Sequence, residues 1–205
     1  MDTQITVNLA PPYPITIGAG LLKKTLFAEI CKTTASRLAV ITDSTVNRLY
    51  KQQFQDILQS ILSKGEILFL EFPAGERHKT RETKQLLEDK MLAAGCNRDT
   101  CILALGGGVV SDVAGFIAAT YCRGIPMLSI PTTLLAMVDA SVGGKTAINT
   151  SYGKNMIGCF YQPQAVIMDI DFLQTLPYSE MDNGLAEMLK HALIQDAHQF
   201  SQLST

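Results

Sequence analysis

Three stretches of the sequence hold residues of the types that handle anions, protons or metal ions. Leu105-Gly106-Gly107-Gly108-Val109-Val110-Ser111-Asp112 follows an apolar run and leads into a helix pattern of small residues. Glycines there let the backbone approach a phosphate, and a helix N-terminus adds unpaired N–H groups and the positive end of its dipole. Gly106-x-Gly108-x-x-Ser111 comes close to the dinucleotide fingerprint but lacks its third glycine. A tight strand-to-helix turn would use the same glycines. In the second stretch, Gly143-Gly144-Lys145-Thr146 echoes a phosphate-binding P-loop. The earlier glycine of that motif is replaced by Val138, or by Asp139 in the other register, so a P-loop is rejected. Lys145, Lys154 and Asn155 nevertheless stand in Gly-flanked, loop-like settings where a lysine meets phosphate or carboxylate as a point charge. With Asp139, Thr132 and Thr133 nearby in sequence, they point to an anionic ligand. The third stretch is Glu187, Lys190 and His191, spaced i, i+3 and i+4 on the polar face of the last helix. It reads as a surface ion pair or as a metal-binding carboxylate beside a cation, although Glu187 and His191 alone do not complete a metal site.

Two further positions end strand-like runs. Asp43 and the polar loop Pro73 to Lys79, with Glu76 in it, lie where an open parallel sheet binds its ligand. A carboxylate there can grip ribose hydroxyls, and a solvated turn explains it equally well. His78 and His198 are isolated and read as ordinary surface histidines.

The elements that must position these residues alternate. Ile5 to Leu9 has the apolar–polar alternation of a half-buried strand, and Tyr13 to Ile17 follows a proline turn as its antiparallel mate. Short apolar runs at Leu38–Ile41, Glu66–Leu70, Cys101–Leu105, Pro126–Ile130 and Ala165–Ile170 are separated by helical patterns, including an amphipathic stretch from Ser44 to about Ser63. That order predicts a parallel sheet covered on both faces. Ala114, Gly115, Ala118 and Ala119 permit close helix packing. After Pro177, Ser179-Glu180-Met181-Asp182 has the look of a capping box before a helix. Leu185, Met188, Leu189, Ala192 and Leu193 share one face of that helix, and the pattern continues toward Phe200.

Composition narrows the class. The 205 residues amount to roughly one and a third typical domains. Apolar residues at 47% and charged residues at 18% exclude a disordered, collagen-like or coiled-coil chain. A net charge of −2 without a Lys/Arg stripe speaks against nucleic acid. Five cysteines without a CxxC pair suit reduced, buried thiols in a cytosolic protein. No apolar run approaches the length of a membrane span, and the first residues lack the apolar segment of a signal peptide.

Taken together, Ala104-Leu-Gly-Gly-Gly-Val-Val-Ser-Asp112, Pro131-Thr-Thr-Leu-Leu-Ala136, Val138-Asp-Ala-Ser-Val-Gly-Gly-Lys-Thr-Ala147, Gly153-Lys-Asn155, Phe160-Tyr-Gln-Pro163 and Gly184-Leu-Ala-Glu-Met-Leu-Lys190 closely resemble the 3-dehydroquinate synthase family. The resemblance covers the chain in order, and extends more distantly to glycerol and iron-dependent alcohol dehydrogenases. It implies an α/β, Rossmann-like parallel sheet flanked by helices, with an N-terminal antiparallel strand pair and the start of an all-α C-terminal domain. The implied division is 1–177 for an NAD-binding domain and 178–205 for the first helix of a metal- and substrate-binding domain.

The resemblance implies conversion of 3-deoxy-D-arabino-heptulosonate 7-phosphate to 3-dehydroquinate and phosphate, a step of the shikimate pathway toward chorismate and the aromatic amino acids. Transient oxidation by NAD would precede phosphate β-elimination, reduction and aldol closure. NAD positions implied by similarity are Asp43; Ala74, Gly75, Glu76, Arg77, His78 and Lys79; Gly108, Val109, Val110, Ser111 and Asp112; Thr132 and Thr133; and Phe172, Leu173, Gln174 and Thr175. Lys145 and Lys154 correspond to cations facing cofactor and substrate. Asp139, Asn155 and Lys190 correspond to residues lining the substrate site and, with Lys145, to the catalytic residues, and Glu187 to a carboxylate ligand of the catalytic zinc, for which cobalt is an alternative. No metal role carries over to His191. Ser111 replaces a usual Gly and Met137 a common Gln. Family members bring two histidine zinc ligands from a helical second domain, so this chain is expected to be an incomplete form, and a homodimer when complete. An inactive nucleotide-binding module and a related sugar-phosphate cyclase are the alternatives.

Overall fold

A computed structural model describes residues 2–61 and 66–203. At its centre is β5 (Thr100–Gly106), whose seven residues are all buried, as expected for a parallel strand covered on both faces. It pairs in parallel with β3 (Arg37–Asp43) on one side and β6 (Met127–Pro131) on the other. The sheet continues through β9 (Ala165–Asp169) to β2 (Tyr13–Gly18) and β1 (Thr3–Val7), and ends on its other side at β4 (Glu66–Phe72), giving the order β1-β2-β9-β6-β5-β3-β4. Only β1 runs antiparallel to its neighbour. The chain leaves β3 outward to β4, returns to β5, and then advances the other way to β6. The reversal opens a crevice between β3 and β5 at their carboxyl ends, the usual ligand position in such sheets.

Alternate side chains of β5 enter two cores. Leu103 and Leu105 pack with Leu26 of α1 (Leu22–Lys32) and with Phe54 and Leu58 of α2 (Ser44–Ile61). Ile102 and Ala104 pack with Leu87 and Met91 of α3 (Arg81–Ala93) and with Val113 and Ile117 of α4 (Gly108–Thr120). The sequence pattern did not foretell α1, and the expected continuation of α2 to Ser63 lies outside the described residues. Strand β1 is largely exposed rather than half-buried, with Ile5 at 51%, because it forms the sheet edge with little packed against it. Cys31 is likewise exposed rather than buried.

Lys145, Lys154 and Asn155 are not in loops. They lie on an antiparallel hairpin, β7 (Lys145–Thr150) and β8 (Gly153–Phe160), which stands apart from the main sheet and packs on α4. Its close approach depends on Gly115, where a Cβ would overlap Thr146 Cγ2. Helix α5 (Tyr178–Gln195) begins directly after Pro177 without a side-chain cap, so Ser179 to Asp182 form its first turn instead of a capping box. Proline supplies a backbone angle already suited to helix entry. Asp196 ends α5, and α6 (Ala197–Leu203) follows, so the expected single helix is two. Among the described residues no helix is long and apolar enough to cross a membrane.

Gly115→Ala is expected to destabilise the fold by about 2 kcal/mol through overpacking against the hairpin. Adding Thr146→Ser removes the obstructing methyl while keeping the hydroxyl bond to the Cys159 carbonyl (2.9 Å), and should recover most of that loss in urea denaturation. No recovery would mean that the two elements are not held at this distance by Thr146.

Candidate functional site at the α4 end of the sheet

The glycine run turns β5 into α4. Gly107 is the N-cap and offers no side-chain bond to the first turn, so backbone N–H groups there are left for a ligand. A Cβ on Gly107 would press on Thr133 Cγ2 at 3.1 Å, and one on Gly108 would press on Ala140 Cβ at 3.2 Å. The run is therefore held against the segment after β6, and the Thr132 N–H donates to the Gly106 carbonyl at 3.0 Å. Nearby hydroxyls of Thr42, Ser111 and Thr132 are buried without a partner among the described residues. Buried polar atoms normally have one, so the glycine cradle and these hydroxyls suit a polar ligand of dinucleotide type.

Below α4 the loop after β4 folds inward. Lys79 is 3% exposed, and its ammonium is paired with Asp112 and donates to Asn155 Oδ1 at 2.6 Å. Burial pushes the Asp112 carboxyl above the ordinary range, the Lys79 hydrogen bond and charge draw it back in part, and Glu76 and Asp139 add to the rise. Asp112, Asp139, Lys145 and Asn155 all line one cleft of about 540 Å³. This cleft gathers all but one of the residues assigned by sequence to catalysis. The exception, Lys190, lies on α5 beside it.

A wide, π-helical turn over Ala136–Ala140 carries Asp139, with the Ser141 N–H reaching back to the Ala136 carbonyl at 3.0 Å. Such turns recur at functional sites. Gly184 lets α5 sit against this region, since a Cβ there would meet Leu134 and the Leu135 backbone. The contact brings Glu187 and His191 to Asp139, with one donor atom of each within 4.8 Å of the others. His191 Nε2 is 3.3 Å from Glu187 Oε1, and Lys190 is bonded to the same oxygen. That bond to Glu187 holds the Lys190 ammonium above its ordinary range, aided by Asp139. Two carboxylates and an imidazole form a donor set suited to zinc or cobalt. The i, i+4 spacing identified Glu187 and His191 as neighbours, but nothing in the residue pattern signalled that Asp139 would join them.

The remaining predicted positions fall into separate groups. Asp43 caps α2 by accepting the Thr45 and Val46 N–H groups at 2.8 and 3.0 Å. The adjacent Ser44 hydroxyl accepts the Ala74 N–H at 3.0 Å, which joins this corner to the loop of Gly75, Glu76, Arg77 and His78. Phe172 to Thr175 form part of a short helical turn on the α2 side. There the Phe172 ring meets Tyr50 edge-on at 4.9 Å, and Thr175 bonds the Tyr50 hydroxyl. Lys154 is exposed on β8, while Val110 and Ser111 are buried in the first turn of α4. Cys101 is chemically quiet, its thiol pushed up to about 12 by burial.

A family model described as 3-dehydroquinate synthase N-terminal matches residues 69–183. The chain is 45% identical over 204 residues to pentafunctional AROM polypeptide 1 of Lodderomyces elongisporus, covering 97% of this chain and 13% of that protein. It therefore spans only a small part of the curated relatives it matches. Among solved structures, 2-epi-5-epi-valiolone synthase from Streptomyces hygroscopicus subsp. jinggangensis 5008, with NAD+ and Zn2+ bound, superposes with a TM-score of 0.84 at 38% identity. That match covers 93% of this chain and 52% of the other. A 2-deoxy-scyllo-inosose synthase complexed with carbaglucose-6-phosphate, NAD+ and Co2+ gives 0.83 at 28% identity, covering 94% and 52%.

Lys79→Met would preserve most of the stem's packing and leave the Asp112 carboxyl buried without its cation. The expected cost is about 3 kcal/mol at about pH 8. Loss of the cation raises the folded-state pKa of Asp112 further above its unfolded value. The folded variant then gains from protonation, and its deficit relative to the parent shrinks as pH falls through the carboxylate range toward about pH 5. Urea denaturation at the two pH values measures this; a deficit that is constant or grows at low pH would show that the pair does not govern the site's stability.

Proposed function

The chain belongs to the 3-dehydroquinate synthase family, and on that premise we propose that it forms the NAD-binding part of an enzyme converting 3-deoxy-D-arabino-heptulosonate 7-phosphate to 3-dehydroquinate and phosphate. The observation that carries this reading is the convergence of Asp112, Asp139, Lys145 and Asn155 on one cleft beside the glycine-capped start of α4. The cradle of Gly107 and Gly108 and the unpartnered hydroxyls of Ser111 and Thr132 fit a dinucleotide. When bound, NAD supplies reversible hydride transfer, so that the overall reaction is a redox-neutral lyase. Glu187, with Asp139 and His191 beside it, is the place for a zinc or cobalt ion, which supplies Lewis-acid polarisation of the oxidised hydroxyl.

The chain's own contribution is placement and charge. Lys145 lines the cleft, is exposed and has no ion pair among the described residues, so its charge is offered to the phosphate-bearing substrate. Lys79 donates to Asn155 Oδ1, which holds that side chain where it lines the same cleft. Lys190 neutralises Glu187 and sets a second positive charge close to Asp139. β-Elimination removes the C–H proton next to the new carbonyl and breaks the phosphate C–O bond; with that proton the phosphate leaves as a dianion, whose charge lysines stabilise.

We assign residues up to Pro177 to the cofactor domain and those from Tyr178 to the beginning of a helical unit that completes the metal and substrate ligands. Support comes from the exposed Leu185, Leu189, Leu193 and Ile194 on α5, which are suited to burial by further helices. Exposed Tyr152, Met156 and Phe160 on the hairpin are compatible with a homodimer, and the unpaired thiols suit a reducing, cytoplasmic setting.

Phosphate release from the heptulosonate phosphate, with NAD and zinc present, tests the proposal. The 205-residue chain should bind NAD and release little phosphate, while a form lengthened to match the solved relatives should turn over. NAD binding without turnover by either form would favour a nucleotide-binding module. Turnover of a different seven-carbon sugar phosphate alone would favour a related cyclase.

A further inference from the structure

Hairpin register fails at one place. Ile148 pairs with Ile157, and Thr150 pairs with Gly153, so Asn149 alone faces the three residues Lys154, Asn155 and Met156. Irregularities of this kind release a residue from the ladder and re-aim it. Freed from β8, the Asn149 backbone N–H donates to the Lys79 carbonyl at 2.8 Å. Its side-chain Nδ2 donates to Glu76 Oε1 at 2.8 Å, while its Oδ1 accepts the Asn155 N–H at 2.9 Å. Asn155 has a φ of 56°, in the left-handed region that an L-residue enters at a cost. The Asn149 acceptor is one of the bonds that hold it there. The Asn155 side chain then accepts from Lys79, which closes a polar circuit through Asn149, Asn155 and Lys79.

We infer that Asn149 is a positioning residue that ties the loop of Glu76 and Lys79 to Asn155. The inference rests on the functional reading above, in which that loop meets NAD and Asn155 meets substrate. Asn149 itself does not line the cleft of Asp112, Asp139, Lys145 and Asn155. It acts by keeping the Glu76 carboxylate in one orientation while fixing the backbone of Asn155, so the two ligand-facing segments are set by one side chain. Both bonds are needed. An amide provides the donor for Glu76 and the acceptor for Asn155 together, which neither a carboxylate nor a hydrocarbon of similar size can do.

Asn149→Asp separates the two bonds, because it keeps an acceptor for Asn155 and sets a carboxylate against Glu76. NAD affinity of the full chain, measured by titration calorimetry, is expected to fall about tenfold in this variant. The thermal midpoint without NAD should stay near that of the parent. In a Glu76→Gln background the same Asn149→Asp change should weaken NAD by less than about twofold relative to Glu76→Gln alone, because the new amide donates to the new carboxylate. A purely structural role would lower the unliganded midpoint and would not be rescued by Glu76→Gln. Unchanged affinity in Asn149→Asp, or a loss that persists in the Glu76→Gln background, overturns the inference while the functional reading stands. Should the single variant fail to fold, the comparison within the Glu76→Gln background decides alone. A parent chain that does not bind NAD defeats the functional reading, and this inference with it.

Discussion

The ammonium of Lys79 is the point on which the site hangs. Taking it out of water costs several kcal/mol unless a carboxylate and a further acceptor replace the lost hydration, and Asp112 and Asn155 fill those roles. The three residues come from three different elements: the loop after β4, the first turns of α4 and strand β8. None of these elements can move far without leaving a charge buried and unpaired. A hydrophobic contact of the same size would hold the elements together but would tolerate sliding. A charged hydrogen bond with defined direction fixes register, which is the better-attested use of buried ion pairs.

Around that anchor, the packing is organised by small residues at the places where backbones come closest. Gly115 admits Thr146, Gly108 admits Ala140, and Gly184 admits Leu134. These contacts draw the hairpin onto the middle of α4, the segment after β6 onto its start, and α5 onto that segment. The donor atoms of Asp139, Glu187 and His191 meet as a result of those approaches, although Asp139 is far from the other two in sequence.

Much of the sheet was legible because its signal is local. A strand buried on both faces must be apolar through most of its length, as β3, β5, β6 and β9 are, and the glycines at the end of β5 announced the turn into α4. The hairpin was not legible, because its strands read Lys-Thr-Ala-Ile-Asn-Thr and Gly-Lys-Asn-Met-Ile-Gly-Cys-Phe. Only one of its faces is covered, and glycines and polar residues dilute the alternation. Helix α1 was missed for a similar reason, since Leu22, Leu26 and Ile30 are its only buried apolar residues. The chemistry followed the same rule. Residue types in the site could be identified one by one, and so could the Glu187–His191 spacing on one helix. The pairing of Lys79 with Asp112 and the bonds of Asn149 are products of tertiary structure, with no periodicity to betray them.

The wide turn at Ala136–Ala140 carries a consequence for how this chain can vary. Its hydrogen bond spans one more residue than that of an α-helix, and Asp139, carried on it, lies close to Glu187. Deleting a single amino acid there would leave a perfectly acceptable α-helical turn, hydrogen-bonded and well packed. The following side chains would be rotated by about 100°, and the carboxylate would point elsewhere. Chain length at this place is thus under tighter constraint than composition. A natural history of the segment should record exchanges of one small residue for another, and hardly ever a gap.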